Sequence, residues 1–382
     1  MLTNVTANST IRVAMKPRPR DPAKLGHGTR LRRRVAGVAV ALAISAVTMP
    51  TAVRADSNCA LRLRPVPDPS GEGYAIRDLG LWLAGDLTVV GSVPEGHAAS
   101  IALDDLDLLV RYEPFSRLSL FSEVRLEETF RVEDDEGLAA GSGNLSIERL
   151  YADLALTPTL TLRAGKFLTP FGLWNVIWRA PLTWTVERPV ITEDGFPDHT
   201  TGLGLIYQTT RHGWTFDATA YGPAQDELPL RSESEAGLMF GGRISAGHQI
   251  GAAYAAIGAN GAGFEDDETH HWADVSGVDL DVSVAGNKLT GEFAYKHLNG
   301  PDVSREWGWY VQDVIPVRGP LYLIARAESF HGRRGRPITG GLAGLFWRPK
   351  SYLVLKLDYQ FADRRSEDDL QRGLVMSIGL FF

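Results

Sequence analysis

Cysteine is nearly absent from this sequence, since Cys59 is the only one among 382 residues. A single thiol cannot form an internal disulfide, so other interactions must hold the fold. Cys59 lies in the segment ADSNCA, which lacks the small apolar residues expected before a lipidated cysteine. We therefore predict no disulfide and interpret Cys59 as incidental rather than as a lipid anchor.

Long apolar runs are missing after residue 55, where no stretch approaches the roughly 20 residues that a membrane-spanning helix needs. Before residue 55 there is one apolar run, VAGVAVALAISAV (35–47), and it is also too short to span a membrane as a helix. It follows a basic region at 30–34 and precedes Val53-Arg54-Ala55. This order is typical of a secretory signal peptide. We predict that residues 1–55 are a signal peptide cleaved after Ala55, with Met15 as an alternative start. A retained membrane anchor is the competing interpretation.

Positive charge is scarce once the signal peptide is removed. Residues 1–55 carry ten of the 39 Lys and Arg and one of the 46 Asp and Glu, which leaves 29 basic and 45 acidic residues and a net charge of −16. Nucleic acid binding requires a basic face, so this balance argues against a nucleic acid partner.

What the remaining chain contains is a regular rhythm of alternating segments. Residues 56–77 are proline-rich and predict an irregular periplasmic lead-in, whereas residues 78–382 contain about 16 candidate strands. Tight turns such as TTRHG and AGNK alternate with longer polar links such as PAQDELPLRSESE. This rhythm is typical of an even-stranded outer-membrane barrel with short periplasmic turns and long outer loops. We predict an all-β fold, a transmembrane antiparallel β-barrel of about 16 strands in the cell outer membrane.

The faces of the strands agree with a barrel. In YLVLKLDYQF (352–361) the odd-numbered positions from 353 are apolar, while Lys356, Asp358 and Gln360 share the other face. In GLVMSIGLFF (373–382) the even-numbered positions are apolar and the others are mostly small. We predict that this last strand closes the barrel and that Phe382 marks it for the barrel assembly machinery. A soluble β-sandwich is the alternative for an alternating sheet.

The longest link, 168–200, contains Trp174, Trp178 and Trp184. A link with three tryptophans does not have the composition of a disordered segment. If the link protruded into water, these rings would have no apolar surroundings. Long structured links are usually functional. We predict that this third outer loop folds into the barrel and narrows its lumen.

The start of this loop carries a recognisable motif. The run Gly165-Lys166-Phe167-Leu168-Thr169-Pro170-Phe171-Gly172, at the end of a strand, resembles the porin superfamily that includes the phosphate-selective porins. This resemblance implies a 16-stranded pore, often trimeric, in which the third loop forms the constriction. The chain is acidic overall, however, and a phosphate pore needs a dominant array of cations, so the substrate does not transfer with the motif.

Candidate pore residues come from the loop and the neighbouring strands. Opposed charges across a water-filled neck orient polar solutes and set ion preference. The alternative for each of them is an ion pair that only holds the loop in place. We predict a constriction formed by Arg163, Arg179, Glu187, Arg188, Glu193 and Asp194, and a pore wall that includes Arg111, Glu123 and Arg125.

These observations predict a porin, a passive diffusion channel for small hydrophilic solutes or ions. The alternative is a non-conducting barrel that acts as a surface scaffold, adhesin or receptor through its loops. The histidines are scattered without a serine partner at a recognisable spacing, so we predict no enzyme activity. We also predict no cofactor and no metal site. The expected partners are outer-membrane lipid and lipopolysaccharide, and the resemblance implies two further copies in a homotrimer.

Overall fold

The protein folds into a closed antiparallel β-barrel of sixteen strands. The computed structural model describes residues 64–65, 73–133, 137–140, 143–177, 179–224, 236–266, 270–300, 304–332, 337–362 and 372–382. The predicted signal peptide and most of the predicted lead-in lie outside the described residues. The predicted fold class is confirmed.

Nineteen strands lie in the described residues. Three short ones, β1 Arg64–Pro65, β2 Tyr74–Ile76 and β6 Gly137–Ala140, belong to the sheet but are not part of the closed ring. The sixteen barrel strands are β3 Leu81–Pro94, β4 Ser100–Phe115, β5 Leu118–Glu133, β7 Asn144–Thr157, β8 Leu160–Leu168, β9 His199–Arg211, β10 Trp214–Pro223, β11 Ala236–Ile250, β12 Ala253–Asp266, β13 His271–Val284, β14 Asn287–Leu298, β15 Ser304–Arg318, β16 Leu321–His331, β17 Ile338–Lys350, β18 Leu353–Ala362 and β19 Gly373–Phe381.

Neighbouring barrel strands pair in sequence order, and β19 closes the ring against β3. Their register runs from Gly373 opposite Pro94 to Phe381 opposite Asp86. Beyond it, Phe382 and Gly85 exchange two backbone hydrogen bonds of 2.9 Å. Every barrel strand therefore has two neighbours, which removes the open edge that hydrocarbon would not tolerate.

The two ends of the barrel differ in the length of their connections. At one end each of the seven turns has two residues, and at the other end eight longer links join the strands. His212-Gly213 and Ala285-Gly286 have positive φ at both positions, as a tight type I′ hairpin requires. The predicted alternation of short and long links is confirmed.

The strands turn apolar side chains outward. In β19 every odd-numbered residue is buried inside the barrel, whereas Leu374, Met376, Ile378 and Leu380 face outward. Leu205, Ile244, Ile257 and Val311 are among the large apolar side chains exposed on the outer surface of other strands. An outward apolar surface suits contact with lipid.

The part of the chain that the structure describes holds no helix long and apolar enough to cross a membrane.

Part of the lead-in extends the sheet. Residues Tyr74–Ile76 pair with residues 81–83 of β3. Since β4 lies along the other edge of β3, β2 occupies the edge that β19 covers from Asp86 onward. Ala75 and Trp82 are buried there with Leu109 and Phe121.

Candidate functional site

The link between β8 and β9, residues 169–198, lies inside the barrel and is called the inner loop below. It contains a 3-10 turn at Ala180–Leu182 and one helix, α1, at Val190–Asp194. Its apolar side chains form a buried cluster with inward-facing wall residues. The loop contributes Phe171, Trp174, Val190, Ile191 and Phe196, and the wall contributes among others Met239, Phe264, Tyr310 and Phe330. The predicted inward folding is confirmed.

The tryptophans explain part of this arrangement. Trp174 is buried in the cluster, and Trp184 packs edge-on against Tyr322 and Phe346 of the wall. Each aromatic ring buried this way contributes a few kcal/mol, about 2–3 by area. Trp178 lies outside the described residues.

Two glycines of the GKFLTPFG run shape the entry to the inner loop. Gly165 has φ +132°, and a Cβ there would lie 2.2 Å from the carbonyl oxygen of Leu150. Gly172 has φ +64°, and a Cβ would lie 1.9 Å from a carboxylate oxygen of Glu292. Both positions therefore require glycine. At Gly172 the missing side chain is what lets a wall carboxylate reach the loop backbone.

Glu292 of β14 is the first of four charged anchors between the wall and the inner loop. Its Oε1 accepts hydrogen bonds from the backbone N–H of Leu173 at 2.7 Å and of Trp174 at 2.9 Å. Tyr310 of β15 donates its hydroxyl to the same oxygen at 2.7 Å. A buried carboxylate needs such donors to offset its lost hydration.

Lys356 and Asp358 of β18 form the second anchor. The Nζ of Lys356 donates to the carbonyl oxygens of Ala180 at 2.6 Å and Thr185 at 2.9 Å, and to the hydroxyl of Thr183 at 2.8 Å. Asp358 accepts from the backbone N–H of Val186 at 2.6 Å. All three ammonium hydrogens of Lys356 are thereby used on the loop.

Arg326 and Glu328 of β16 form the third anchor. Arg326 donates through Nη1 to Thr185 Oγ1 at 3.1 Å and to the Glu187 carbonyl oxygen at 3.0 Å, and through Nη2 to the Arg188 carbonyl oxygen at 3.0 Å. Its Nε also donates to Glu328, at 3.0 Å. Glu328 accepts from the backbone N–H of Val190 at 2.9 Å, at the start of α1. This pair thus fixes the segment that leads into the helix.

The fourth anchor is an ion pair in the opposite sense, with the cation on the loop. Arg179 Nε lies 2.6 Å from Asp86 Oδ2 of β3, and both side chains are buried. With the other anchors on β14, β16 and β18, the four charged anchors lie on one half of the wall, from β14 round to β3. The apolar cluster also brings the loop against β11 and β12.

The predicted constriction residues are thus not all in one place. Arg179 is buried in its pair with Asp86, while Glu187 and Arg188 are partly exposed and Glu193 is exposed. The side chain of Asp194 is outside the described residues. Arg163 lies on β8, where it binds Asp153 with two hydrogen bonds of 2.7 and 2.8 Å.

Two charged residues of the inner loop have shifted pKa values. Burial raises the pKa of Glu187 above its ordinary value, and the negative charge of Asp358 adds to the effect, whereas Arg326 and Lys356 oppose it. Burial lowers the pKa of Arg188 from its ordinary value despite the nearby carboxylates of Asp198 and Glu193. Both groups lie in the inner loop, outside the strands.

The predicted wall residues lie on the half of the barrel that the anchors leave uncovered. Arg125 of β5 donates two hydrogen bonds, of 2.8 and 3.0 Å, to the carboxylate of Asp107 on β4. Glu123 pairs with Arg149 of β7. The guanidinium of Arg111 lies 5.2 Å from the ring centroid of Trp82.

Arginines and aromatic rings alternate on this half of the wall. Besides Arg111 on Trp82, Arg149 lies 4.9 Å from the ring centroid of Phe121, and Arg163 lies 3.9 Å from that of Tyr151. Each guanidinium–ring contact contributes about 0.5–2 kcal/mol. Arg149 was not among the predicted pore residues, although it shares one strand face with Tyr151 and Asp153.

A buried group of Ser146, Glu148 and His199 lies where the inner loop rejoins the wall. Ser146 Oγ donates to Glu148 at 2.5 Å, and His199 Nε2 lies 3.2 Å from the other Glu148 oxygen. A hydrolytic triad places the histidine between serine and acid. Here the acid lies between them, so this arrangement does not activate the serine. Among the described residues, no group of three or more His, Cys, Asp or Glu is placed to hold a metal ion.

Sequence reasoning could predict that the anchor residues point into the barrel, but not that they bind the inner loop. Arg326, Glu328, Lys356 and Asp358 stand at alternating polar positions of their strands, so an inward direction could be predicted. Nothing in the local sequence indicates that they bind the loop, because Lys356 and Thr183 are 173 positions apart.

Comparison with known proteins gives a relative that is similar over only part of this chain. A protein of Aquifex aeolicus (strain VF5), named only as uncharacterized, is 30% identical over 127 residues. The aligned stretch covers 33% of this chain and 28% of that protein's length. No protein-family model matches the sequence.

Solved structures resemble the fold along most of the chain. OmpF of Salmonella typhi, in complex with daunomycin, is 12% identical with a TM-score of 0.54 and covers 80% of this chain and 98% of its own. The anion-selective porin of Comamonas acidovorans is 13% identical with a TM-score of 0.51, at 79% and 98% coverage. The trimer form of OmpT, an outer membrane protein of Vibrio cholerae, is 13% identical with a TM-score of 0.51, and the match covers 79% of this chain and 98% of that one.

Identities this low carry the fold and nothing finer. The closed ring of sixteen strands, its apolar outer surface and its polar, charged interior are the features of a barrel that spans a membrane. OmpT of Vibrio cholerae, which shares this fold, is an outer membrane protein. The protein is an outer-membrane β-barrel with its third long link folded into the lumen.

Proposed function

We propose that the protein is a porin, a passive diffusion channel for small hydrophilic solutes or ions. The observation that carries the proposal is the inner loop, which is tied into the lumen by charged side chains of β3, β14, β16 and β18. A loop held by charged anchors on one half of the wall narrows the lumen without depending on the outer loops.

The charges on the opposite half fit this role. Arg125, Arg149 and Arg163 each pair with a carboxylate across neighbouring strands. Paired charges along a passage hold polar solutes in orientation and set ion preference. We propose that the passage runs between this half of the wall and the outer edge of the inner loop, where Glu187 and Arg188 lie.

A non-conducting barrel is the second candidate, and one observation favours it. Asp86, Asp107, Glu123 and Asp358 are buried completely. Complete burial of so many lumenal carboxylates is also what a barrel filled by its own loop would give. Such a barrel would act at the cell surface as a scaffold, adhesin or receptor.

Planar bilayer recordings on the purified protein separate the two. A porin gives steady ohmic steps whose size scales with the salt concentration. A protein that migrates as a folded barrel on an unheated gel but stays silent over repeated insertions is not a channel, and the scaffold role takes its place.

The remaining assignments are proposals of the same kind. Membership in the superfamily of the phosphate-selective porins rests on the GKFLTPFG run, whose two glycines are required by the geometry of the loop entry. A homotrimer is supported by the trimer form of the Vibrio cholerae OmpT, which shares the fold. Light scattering of the detergent-extracted protein, corrected for bound detergent, tests it. Lipopolysaccharide, surrounding lipid and the barrel assembly machinery are the other proposed partners, and we propose no catalytic activity.

A further inference from the structure

A recess lies in the lumen where the inner loop leaves the wall. Its volume is about 150 Å³. The wall strands β7 to β10 form one side, and Pro170 and Val176 of the inner loop form the other. It is lined by Arg149, Arg163, Phe167, Leu168, Pro170, Val176, Gly204, Ile206 and Thr219.

The polar part of this lining is cationic. Arg149 and Arg163 retain 17% and 23% of their side-chain exposure, and no carboxylate lines the recess among the residues that the structure describes. Their partners Glu123 and Asp153 are bonded to them from outside the recess. Arg163 uses Nε and Nη2 on Asp153, which leaves three of its five N–H groups for another acceptor.

The rest of the lining is apolar. Phe167, Leu168, Pro170, Val176 and Ile206 supply it, and Gly204 adds a stretch of wall without a side chain beside the Phe167 ring. An apolar cavity of roughly this volume holds one benzene-sized ring. The recess thus offers a place for a ring beside donors for an anion.

This combination selects among small solutes. Phosphate needs donors on all sides, and the apolar side chains of the recess supply none. A sugar needs neutral hydrogen-bond partners around its ring, and within the described part of the lining Thr219 supplies the one hydroxyl. We propose that the recess binds a planar aromatic carboxylate, with its ring against Phe167 and Val176 and its carboxylate on Arg163 and Arg149. This inference rests on the proposed channel, for which it names a class of solute.

Calorimetric titration of the detergent-solubilised protein with benzoate tests the site without requiring conduction. Benzyl alcohol keeps the ring and loses the charge, and phosphate keeps the charge and loses the ring. We expect benzoate to bind about tenfold more tightly than benzyl alcohol, which lacks the charge-assisted hydrogen bond to a guanidinium. Benzoate should also bind more tightly than phosphate, which has no ring to bury against the apolar lining.

Two variants with matched controls locate the site. Val176→Trp fills the recess from an exposed position and should abolish benzoate binding, whereas Ile177→Trp, at the next exposed position outside the lining, should leave it unchanged. Arg163→Gln should weaken benzoate about tenfold. Arg243→Gln removes an arginine from a similar two-bond pair with Asp279, outside the recess, and should not change benzoate binding.

The outcomes separate this inference from the channel itself. Benzoate binding that survives Val176→Trp, or that equals benzyl alcohol binding, overturns the site even if the protein conducts. Binding that is lost with Val176→Trp and kept with Ile177→Trp supports the site even if the same preparation is silent in a bilayer.

Discussion

Lys356 shows how a single side chain holds the inner loop. Its ammonium group is buried, and all three of its hydrogen bonds go to the segment from Ala180 to Thr185. Burying an ammonium group is costly unless every donor is satisfied, so the loop and the lysine depend on each other.

Replacing Lys356 with methionine should therefore loosen the loop while the barrel stays closed. Two carbonyl oxygens and one hydroxyl would lose their donor, which we expect to cost the docked loop about 2 kcal/mol. Hydrogen exchange followed by mass spectrometry should show faster exchange in peptides covering 180–190. Lys288→Met is the matched control, since Lys288 is partly exposed and makes an ion pair of 3.2 Å with Asp281, worth less than about 1 kcal/mol. Equal exchange in the two variants would show that the anchor is not Lys356.

We expect the docking of the loop to depend on pH through Glu187. Because its pKa is raised in the docked loop, that state binds more protons than a released loop at pH values between the ordinary and the raised pKa. Docking is then favoured most below the ordinary carboxyl pKa of about 4.3 and weakens as the pH rises through the raised value. Loop exchange, corrected for the intrinsic rate, should accelerate over that interval, and Glu187→Gln should remove the acceleration. An unchanged pH profile in Glu187→Gln would assign the effect to another group.

At the scale of elements, the strands were predictable and the anchors were not. Alternation in segments such as 352–361, and two-residue turns such as His212-Gly213, are local signals, so the barrel and its rhythm of links follow from sequence. The inward fold of the loop followed from its tryptophans. The pairing of Arg179 with Asp86 joins positions 93 apart, and no local pattern encodes it. Arg179 was expected at the constriction, and that role stays a prediction beside its observed part as an anchor.

The junction of β3 and β19 gives the prediction that belongs to this scale. A Cβ on Gly85 would lie 2.4 Å from the ring of Phe382 and 2.7 Å from the carbonyl oxygen of Asp107. We expect Gly85→Ala to cost the closed barrel about 1–3 kcal/mol through overpacking. The fraction that runs as folded barrel on unheated gels across a temperature series measures this.

Gly91→Ala in the same strand is the control for that junction. A Cβ on Gly91 would meet the flexible side chain of Met376 at 3.1 Å, which can move aside. Melting of Gly85→Ala at the temperature of Gly91→Ala would mean that the Phe382 ring does not constrain closure.

At the scale of the whole molecule, the barrel and the inner loop are separable. Neighbouring strands pair along the ring without the loop, and the loop adds contacts only from inside. Deleting residues 174–194 removes α1 and every loop group that meets Lys356, Arg326 and Asp86, while Thr169 to Leu173 and Gly195 to Asp198 remain to bridge β8 and β9. The lumen of the variant would then be lined by the freed wall charges.

Single-channel conductance of the parent and of this deletion variant, in the same planar bilayer, tests the central claim most directly. A loop that narrows a conducting lumen predicts ohmic steps in the parent, and larger steps with weaker ion discrimination in the variant, because a wider, wetter passage screens its charges more. A deletion variant that folds, as shown by its unheated gel mobility, but conducts as the parent does would contradict a constriction at the inner loop.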